Sequence, residues 1–463
     1  MIKLTFHGAA ETVTGSKYLL ETETAKVLID YGMFQGKKEN RLRNWEKPAF
    51  DPAEIQAVVL THAHIDHSGL LPKLVKEGFR QKIYCTPATA DLCELLLLDS
   101  AKIQEEDAEY ANRKKFSKHH PALPLFDAQD AAKSLRQLFA QELNAWFAPV
   151  DGIRMKYHDT GHLLGAAMIE VEVEREGKEP LRLLFSGDVG RYDAPLYHDP
   201  KPPVPCDVLI CESTYGDRDH PETDMMEELA QAVLASIRRG GVMLVAAFAI
   251  GRAQQLIYLL RLLIEQNRIP ELPIFLDSPM AVDATNIFCK FAADHDLSEG
   301  ELAETHCVLT GRNVHLSRTV AESKQINQVK GPAIIISSSG MMTGGRILHH
   351  LRQRLPDSRN TVMLAGYQAE GTRGRRLEDG ESTLRLHGRD IPAKAAVVRV
   401  PGLSGHAGRS ELLRWLAPLA APRRTFITHG ELPSAESFAA ALRQRDWEVE
   451  VPKIGQGVEL SDL

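Results

Sequence analysis

A chain of 463 residues is too long for one hydrophobic core, so two or three domains are expected. With 43% hydrophobic and 25% charged residues, and no stretch approaching 18 uninterrupted apolar residues, the composition excludes a disordered tail protein and a membrane-spanning helix. The net charge of −7, from 55 basic and 62 acidic residues, excludes a globally basic surface, so any contact with nucleic acid must be local.

Residues 1–8 read as a first strand and carry no signal-peptide core. The six cysteines (Cys85, Cys93, Cys206, Cys211, Cys289, Cys307) form no CxxC pair and read as reduced, mostly buried thiols of a cytoplasmic protein. Short strand-like runs follow at 19–20, 26–30 and 55–60. The last ends at Thr61-His62-Ala63-His64-Ile65-Asp66-His67, after which residues 68–75 read as the first turns of a helix. Apolar spacing and helix-forming residues predict helices over 90–115 and 127–139, and strands over 168–173 and 181–185. Lys201-Pro202-Pro203-Val204-Pro205 is a stiff connector and a candidate boundary.

From about residue 217 apolar strands alternate with helices: strand 242–248, helix 253–266, strand 274–276, strand 333–337, helix 346–355, strand 362–365. That alternation predicts a parallel sheet flanked by helices. From residue 396 strand-like runs return, with polar turns at 401–408 and 424–430.

The stretch 61–67 places three imidazoles and a carboxylate in a strand-to-helix turn. His62 and His64 share a side in extended backbone, and Asp66 and His67 follow where the chain bends. Nitrogen and carboxylate ligands suit zinc or a similar divalent ion. Four ligands from one loop strain around a single ion, which favours two adjacent ions. Asp30, His162 (in Gly161-His162-Leu163) and Asp188 (in Ser186-Gly187-Asp188) also follow strand-like runs beside glycines or turns, and together with the first motif they could complete a binuclear site. Two divalent ions roughly 3.5–4 Å apart can make a hydroxide nucleophilic near neutral pH.

HxHxDH followed by Gly-His and Gly-Asp resembles the metallo-β-lactamase superfamily of αββα hydrolases. Three further motifs resemble its β-CASP branch: Cys211-Glu212-Ser213-Thr214-Tyr215-Gly216, Ser404-Gly405-His406-Ala407-Gly408 and Thr428-His429-Gly430-Glu431. The resemblance implies an α/β chain: a metallo-β-lactamase domain over 1–216, a β-CASP insert over 217–395 and a returning segment over 396–463. It implies that His62, His64 and His162 hold one zinc, that Asp66, His67 and His429 hold the other, and that Asp188 bridges them. Asp30 would orient ligands, Glu212 would hydrogen-bond His406, and His406 would serve as general acid. A histidine at position 429 is the form associated with RNA-processing members. The implied activity is a zinc-dependent ribonuclease (endonuclease, 5′-exonuclease or both) that hydrolyses single-stranded RNA by a two-metal-activated hydroxide, with Mn²⁺ as an alternative ion and a homodimer as a common state. The competing readings are a thioester or lactam hydrolase, a DNA nuclease of the same superfamily, and a non-catalytic RNA-binding subunit, which the intact motifs disfavour.

The insert is expected to supply the substrate surface. The Ser/Gly-rich loop 337–345 lies between a strand and a helix, so Ser338, Ser339, Gly340 and Gly344 are the expected phosphate cradle. Between Arg346 and Arg376 seven arginines face two acids, Asp357 and Glu370. Arg346, Arg373, Arg375 and Arg376 are the expected phosphate contacts, with Ser404 of the second motif beside them.

Overall fold

The computed structural model describes residues 1–114, 119–221, 224–298, 301, 307–366, 368, 371–400 and 403–463. Parts of three expected features lie outside these residues: the end of the helix over 90–115, the loop at 367–376 and the turn at 401–408. The chain divides into two compact units, Met1–Asp219 with Gly405–Leu463, and His220–Ser404. The proline-rich connector at 201–205 lies inside the first.

The first unit is built on two seven-stranded sheets. In one, Gly457–Glu459, Ile2–Phe6, Tyr18–Thr22 and Lys26–Ile29 are antiparallel neighbours, and Ala57–Val59, Ile83–Cys85 and Leu138–Ala140 continue in parallel. In the other, Trp146–Val150, Ile153–Asp159, Ala167–Arg175 and Lys178–Phe185 form an antiparallel meander, joined in parallel by Val208–Glu212, Arg424–Thr428 and Val449–Glu450. The inward alternation Leu4, Phe6, Leu20, Val27 and Ile29 meets Met155, Tyr157, Ile169, Val171, Leu183 and Phe185 in one buried core. On the outer face of the second sheet, Leu412, Trp415, Phe438 and Leu442 of the helices Arg409–Trp415 and Leu432–Arg443 cover Met168, Leu184, Leu209 and Ile427. This is the expected layered metallo-β-lactamase architecture.

The second unit carries a six-stranded parallel sheet in the order Val314–Leu316, Ile274–Leu276, Ala333–Ser337, Val242–Ala246, Thr361–Leu364, Ala396–Arg399. Its central strands are wholly buried and apolar except for Ser337 and Thr361 at strand ends, as a sheet covered on both faces requires. The Ala396–Arg399 strand pairs in parallel with Thr361–Leu364 and so belongs to this sheet.

Two sequence expectations are corrected. The helix over 127–139 ends at Leu135, and Phe139 lies in the edge strand Leu138–Ala140. The helix is only two turns long, and two residues, Arg136 and Gln137, lead from it into the parallel ladder beside Ile83–Cys85. Not all cysteines are free thiols: Cys289 and Cys307 form a disulfide, whereas Cys85, Cys93, Cys206 and Cys211 are unpaired. The pair is separated by 18 residues, so no local spacing announces it.

Candidate metal centre

All the residues of this centre belong to the first unit. The loop between Leu60 and Ser68 is fixed by main-chain hydrogen bonds. The amides of Ser16, Met33 and Tyr31 donate to the carbonyls of Asp66, Ile65 and His67 at 2.8, 2.9 and 2.8 Å. Gly32 permits this approach, because a Cβ there would lie 1.6 Å from the Asp66 carbonyl oxygen. Asp66 and His67 sit in the single helical turn Ile65–Ser68.

Two sets of donor atoms converge. His64 Nδ1 lies 3.0 Å from His62 Nε2 and 3.2 Å from His162 Nε2. Asp188 Oδ2 lies 3.4 Å from His62 Nε2 and 3.5 Å from His162 Nε2. On the other side His67 Nε2 lies 3.1 Å from His429 Nε2, which is 3.7 Å from Asp66 Oδ2. Asp188 Oδ1 faces this second set at 3.4 Å from His67 Nε2 and 3.5 Å from His429 Nδ1. Four ligands at about 2.0–2.1 Å from a tetrahedral zinc stand about 3.3 Å apart, so the separations of the first set fit an ion. Asp188 Oδ1 is buried and accepts no hydrogen bond, which marks a place where positive charge is missing.

The protonation states agree. Burial, with further opposition from neighbouring imidazoles, holds His62 and His162 well below the usual histidine value, and burial holds His64 at about 4, so their lone pairs are available. Burial opposes the charge of Asp66, yet the hydrogen bond and charge of His429 and the charge of His67 hold it at about 2. Asp188 is likewise ionised: burial is outweighed by His429, His67 and His62. His67 behaves oppositely. Burial resists its charge, but Asp188 and Asp30 raise it well above the ordinary value.

A second ring of contacts sets the orientations. Asp30 Oδ2 accepts from His67 Nδ1 at 2.7 Å and from the Ser16 and Thr61 hydroxyls at 3.0 and 2.9 Å, and its Oδ1 accepts from the Thr61 amide at 2.8 Å. That turns His67 Nε2 inward. Asp30 and His429 hold left-handed backbone, at φ 58 and 47°, a strained conformation typical of functional positions. His162 Nδ1 donates to the Gly405 carbonyl at 3.0 Å, and the Asp159 carboxylate caps the preceding turn by accepting from the Gly161 amide at 2.8 Å.

Glu212, at the end of its strand, is buried. Its Oε1 accepts from the Val189 amide at 2.6 Å and from His406 Nδ1 at 3.3 Å. His406 remains 22% exposed at its side chain, its ring centroid 4.5 Å from that of His162 and tilted at 45° to it. Burial opposes its charge, and Glu212 and Asp188 outweigh it, raising it to about 9. Sequence reasoning missed Ser16, Thr61, Thr214 and the Gly405 carbonyl. Thr61 stands next to His62, which is a usable signal, whereas nothing local marks Ser16.

The expected substrate residues lie in the second unit. Ser338, Ser339, Gly340 and Gly344 do form one loop after the strand Ala333–Ser337, but Ser339 Oγ already accepts from the amides of Thr343 and Gly344 at 2.9 and 3.4 Å. The arginines are engaged elsewhere. Arg346 donates to Asp277 Oδ1 at 2.7 Å and to the Ser317 and Arg318 carbonyls at 3.1 and 2.7 Å. Arg373 donates to the carbonyls of Met342, Thr343 and Arg385 at 3.1, 3.2 and 3.1 Å. Arg375 pairs with Asp379 at 2.9 Å and Arg376 with Glu381 at 2.8 Å. A run of arginines in sequence does not distinguish a phosphate cradle from internal ion pairs, and here each guanidinium has an internal partner. Ser404 closes the second unit.

Among the described residues no helix is long and apolar enough to cross a membrane. Profiles of three domains match the chain: the metallo-β-lactamase superfamily over residues 12–137, the Beta-Casp domain over 253–377, and the Zn-dependent metallo-hydrolase RNA specificity domain over 390–452. The chain is 35% identical to the ribonuclease TTHA0252 of Thermus thermophilus, over 97% of this chain and 98% of that protein. It is 30% identical to the transcription termination factor FttA of Methanosarcina mazei, over 96% of this chain and 69% of that protein. It is 29% identical to an RNase J-like protein of Methanocaldococcus jannaschii, over 96% of each. A crystal structure of an Enterococcus faecalis protein of unknown function shares the fold, with a TM-score of 0.58 at 14% identity over 99% of this chain. Full-length similarity, the matched domains and the clustered histidines and aspartates agree: the chain belongs to the β-CASP branch of the metal-dependent metallo-β-lactamase hydrolases.

Proposed function

We propose that this chain is a ribonuclease that holds two zinc ions and hydrolyses single-stranded RNA. His62, His64 and His162 would hold one ion, Asp66, His67 and His429 the other, with Asp188 between them. The observation that carries this reading is Asp188: its two oxygens face two separate clusters of imidazole nitrogens, and one of them lacks any hydrogen bond. Manganese fits the same nitrogen and oxygen donors.

When bound, paired divalent ions supply Lewis acidity toward a phosphodiester and make water acidic near neutral pH. The chain's own residues supply the rest. Asp66, ionised and still partly exposed, accepts the proton of the attacking water. Asp30 keeps the His67 ring fixed, and the Gly405 carbonyl does the same for His162. His406, the half-buried imidazole beside the cluster, donates its Nε2 proton to the departing sugar oxygen, while Glu212 accepts from Nδ1 and balances the imidazolium charge. Arg346 braces Asp277 and Arg373 braces the loop carbonyls of Met342 and Thr343, so both act as scaffold.

RNA as the substrate class is supported by the RNA specificity profile over 390–452 and by the ribonuclease relatives. A cytoplasmic location and a homodimer accompany this reading. The test is a rate comparison on one metal-loaded preparation, using a single-stranded RNA, the matched DNA and an acyl thioester. Preferential RNA hydrolysis is expected. Faster turnover of the thioester or of DNA would replace the proposal with one of the two competing hydrolase activities.

A further inference from the structure

The second unit contains an aromatic side chain that its surroundings do not explain. Residues 247–251 follow Val242–Ala246, a central strand of the parallel sheet. Ala247, Ala249 and Ile250 are buried, yet Phe248 between them is 41% exposed. A loop that buries its small residues and turns its largest apolar one outward does so against the hydrophobic effect.

Its position in the sheet is informative. From Val242–Ala246 the chain crosses toward Ile274–Leu276 on one side, and from the adjacent Thr361–Leu364 it continues toward Ala396–Arg399 on the other. Such a divergence at the carboxyl ends of neighbouring parallel strands opens a crevice where open α/β sheets bind ligands. Phe248 follows one of these strands and Gly366 the other.

The ring is held by one edge. A Cβ on Gly340 would stand 3.0 Å from Phe248 Cδ2, and a Cβ on Gly366 would stand 3.5 Å from Phe248 Cε2. Two glycine backbones therefore pack closely against the Cδ2–Cε2 edge, where a side chain on Gly340 would crowd the ring. Gly340 is in the loop that carries the Ser339 and Thr343 hydroxyls. The loop itself is braced by Arg373 on two of its carbonyls.

We propose that Phe248 is a stacking platform for one nucleobase of the RNA, an inference that rests on the ribonuclease reading above. A single supported ring next to glycines and hydroxyls is too small for a protein interface. It matches the aromatic platforms on which single-stranded bases stack regardless of sequence.

The test uses the metal-loaded full chain and a single-stranded RNA with hydrolysis-resistant phosphorothioate linkages and one 2-aminopurine. Affinity is read by anisotropy, and stacking by quenching of the 2-aminopurine. Phe248→Ala and Phe248→Leu are expected to weaken binding about tenfold to a hundredfold and to lose the quench, whereas Phe248→Trp retains both. Circular dichroism confirms that each variant is folded, and Phe248→Leu separates stacking from mere apolar bulk. Wild-type affinity and quench in both Phe248→Ala and Phe248→Leu would overturn the platform while leaving RNA binding intact. Failure of the wild-type chain to bind RNA at all would overturn the ribonuclease reading itself, and the platform with it.

Discussion

Replacing Asp30 by Asn tests how the metal centre is held, because the substitution keeps the shape of the side chain and removes only charge and one acceptor. Asp30 is buried and accepts from four donors: His67 Nδ1 and the Ser16 hydroxyl on Oδ2, the Thr61 amide on Oδ1, and the Thr61 hydroxyl shared between both oxygens. The best orientation for Asn keeps its carbonyl oxygen in the Oδ2 position. Its NH₂ then faces the Thr61 N–H, so one hydrogen bond is lost and two buried donors confront each other, at about 1–3 kcal/mol. The bond to His67 Nδ1 changes from charge-assisted to neutral, at about 1 kcal/mol more. The metal-free protein should therefore lose about 2–4 kcal/mol of stability. All four tryptophans (Trp45, Trp146, Trp415, Trp447) lie in the first unit, so denaturation followed by tryptophan fluorescence reads that unit alone. Loss of a carboxylate behind a ligating histidine costs about 10- to 100-fold in metal affinity. In a competitive chelator titration that loss should fall on one of the two ions, the one held by His67. His62 reaches Asp30 only through the Thr61 hydroxyl, so the other ion should be affected less. Two equivalents bound at wild-type affinity by Asp30→Asn would refute the orienting role.

Other outcomes follow from the same geometry. Lys17 is buried with its ammonium 4.3 Å from the Phe34 ring, and burial, aided by Lys73, lowers it to about 7. Between pH 7 and 10.5 the unfolded chain therefore holds a proton the folded chain lacks, so stability rises with pH by at most about 1.4 kcal/mol per unit. Lys17→Met should flatten that rise in tryptophan-detected unfolding, and an unchanged slope would contradict it. Arg346→Ala leaves the wholly buried Asp277 paired only with His350 and Ser323, and should destabilise the second unit by about 3–5 kcal/mol. That transition should appear in far-ultraviolet circular dichroism and not in tryptophan fluorescence. A variant that lost RNA affinity at full stability would instead make Arg346 a phosphate contact. His406→Ala should keep both metal equivalents and lose about 10²- to 10⁴-fold in turnover; retained turnover in the metal-loaded variant would remove its role as acid.

The clustering of the candidate metal-binding residues was legible in sequence because they follow strands and repeat at short spacing. His62, His64, Asp66 and His67 need only one loop, and Asp30 and Asp188 each end an apolar run. The alternating pattern after residue 217 identified a parallel sheet for the same reason, since strands buried on both faces are continuously apolar. What escaped was nonlocal. The Gly405 carbonyl that orients His162 lies 243 residues away, and Ser16 meets Asp30 only once Tyr18–Thr22 has paired with Lys26–Ile29. The disulfide between Cys289 and Cys307 depends on how two segments pack, which spacing does not encode. The arginine run was ambiguous in principle: Asp277, Asp379 and Glu381 decide what Arg346, Arg375 and Arg376 do, and only folding brings Asp277 to Arg346. Phe248 was hidden differently. It looked like the last residue of an apolar strand, and only its exposure sets it apart.

The most direct measurement incubates protein of known metal content with a 5′-labelled single-stranded RNA, alongside an Asp66→Ala/His67→Ala control. The account predicts cleavage that requires metal and disappears in the control, with two equivalents bound by the wild-type chain and fewer by the variant. An RNA left intact by the fully metal-loaded wild-type chain would contradict it.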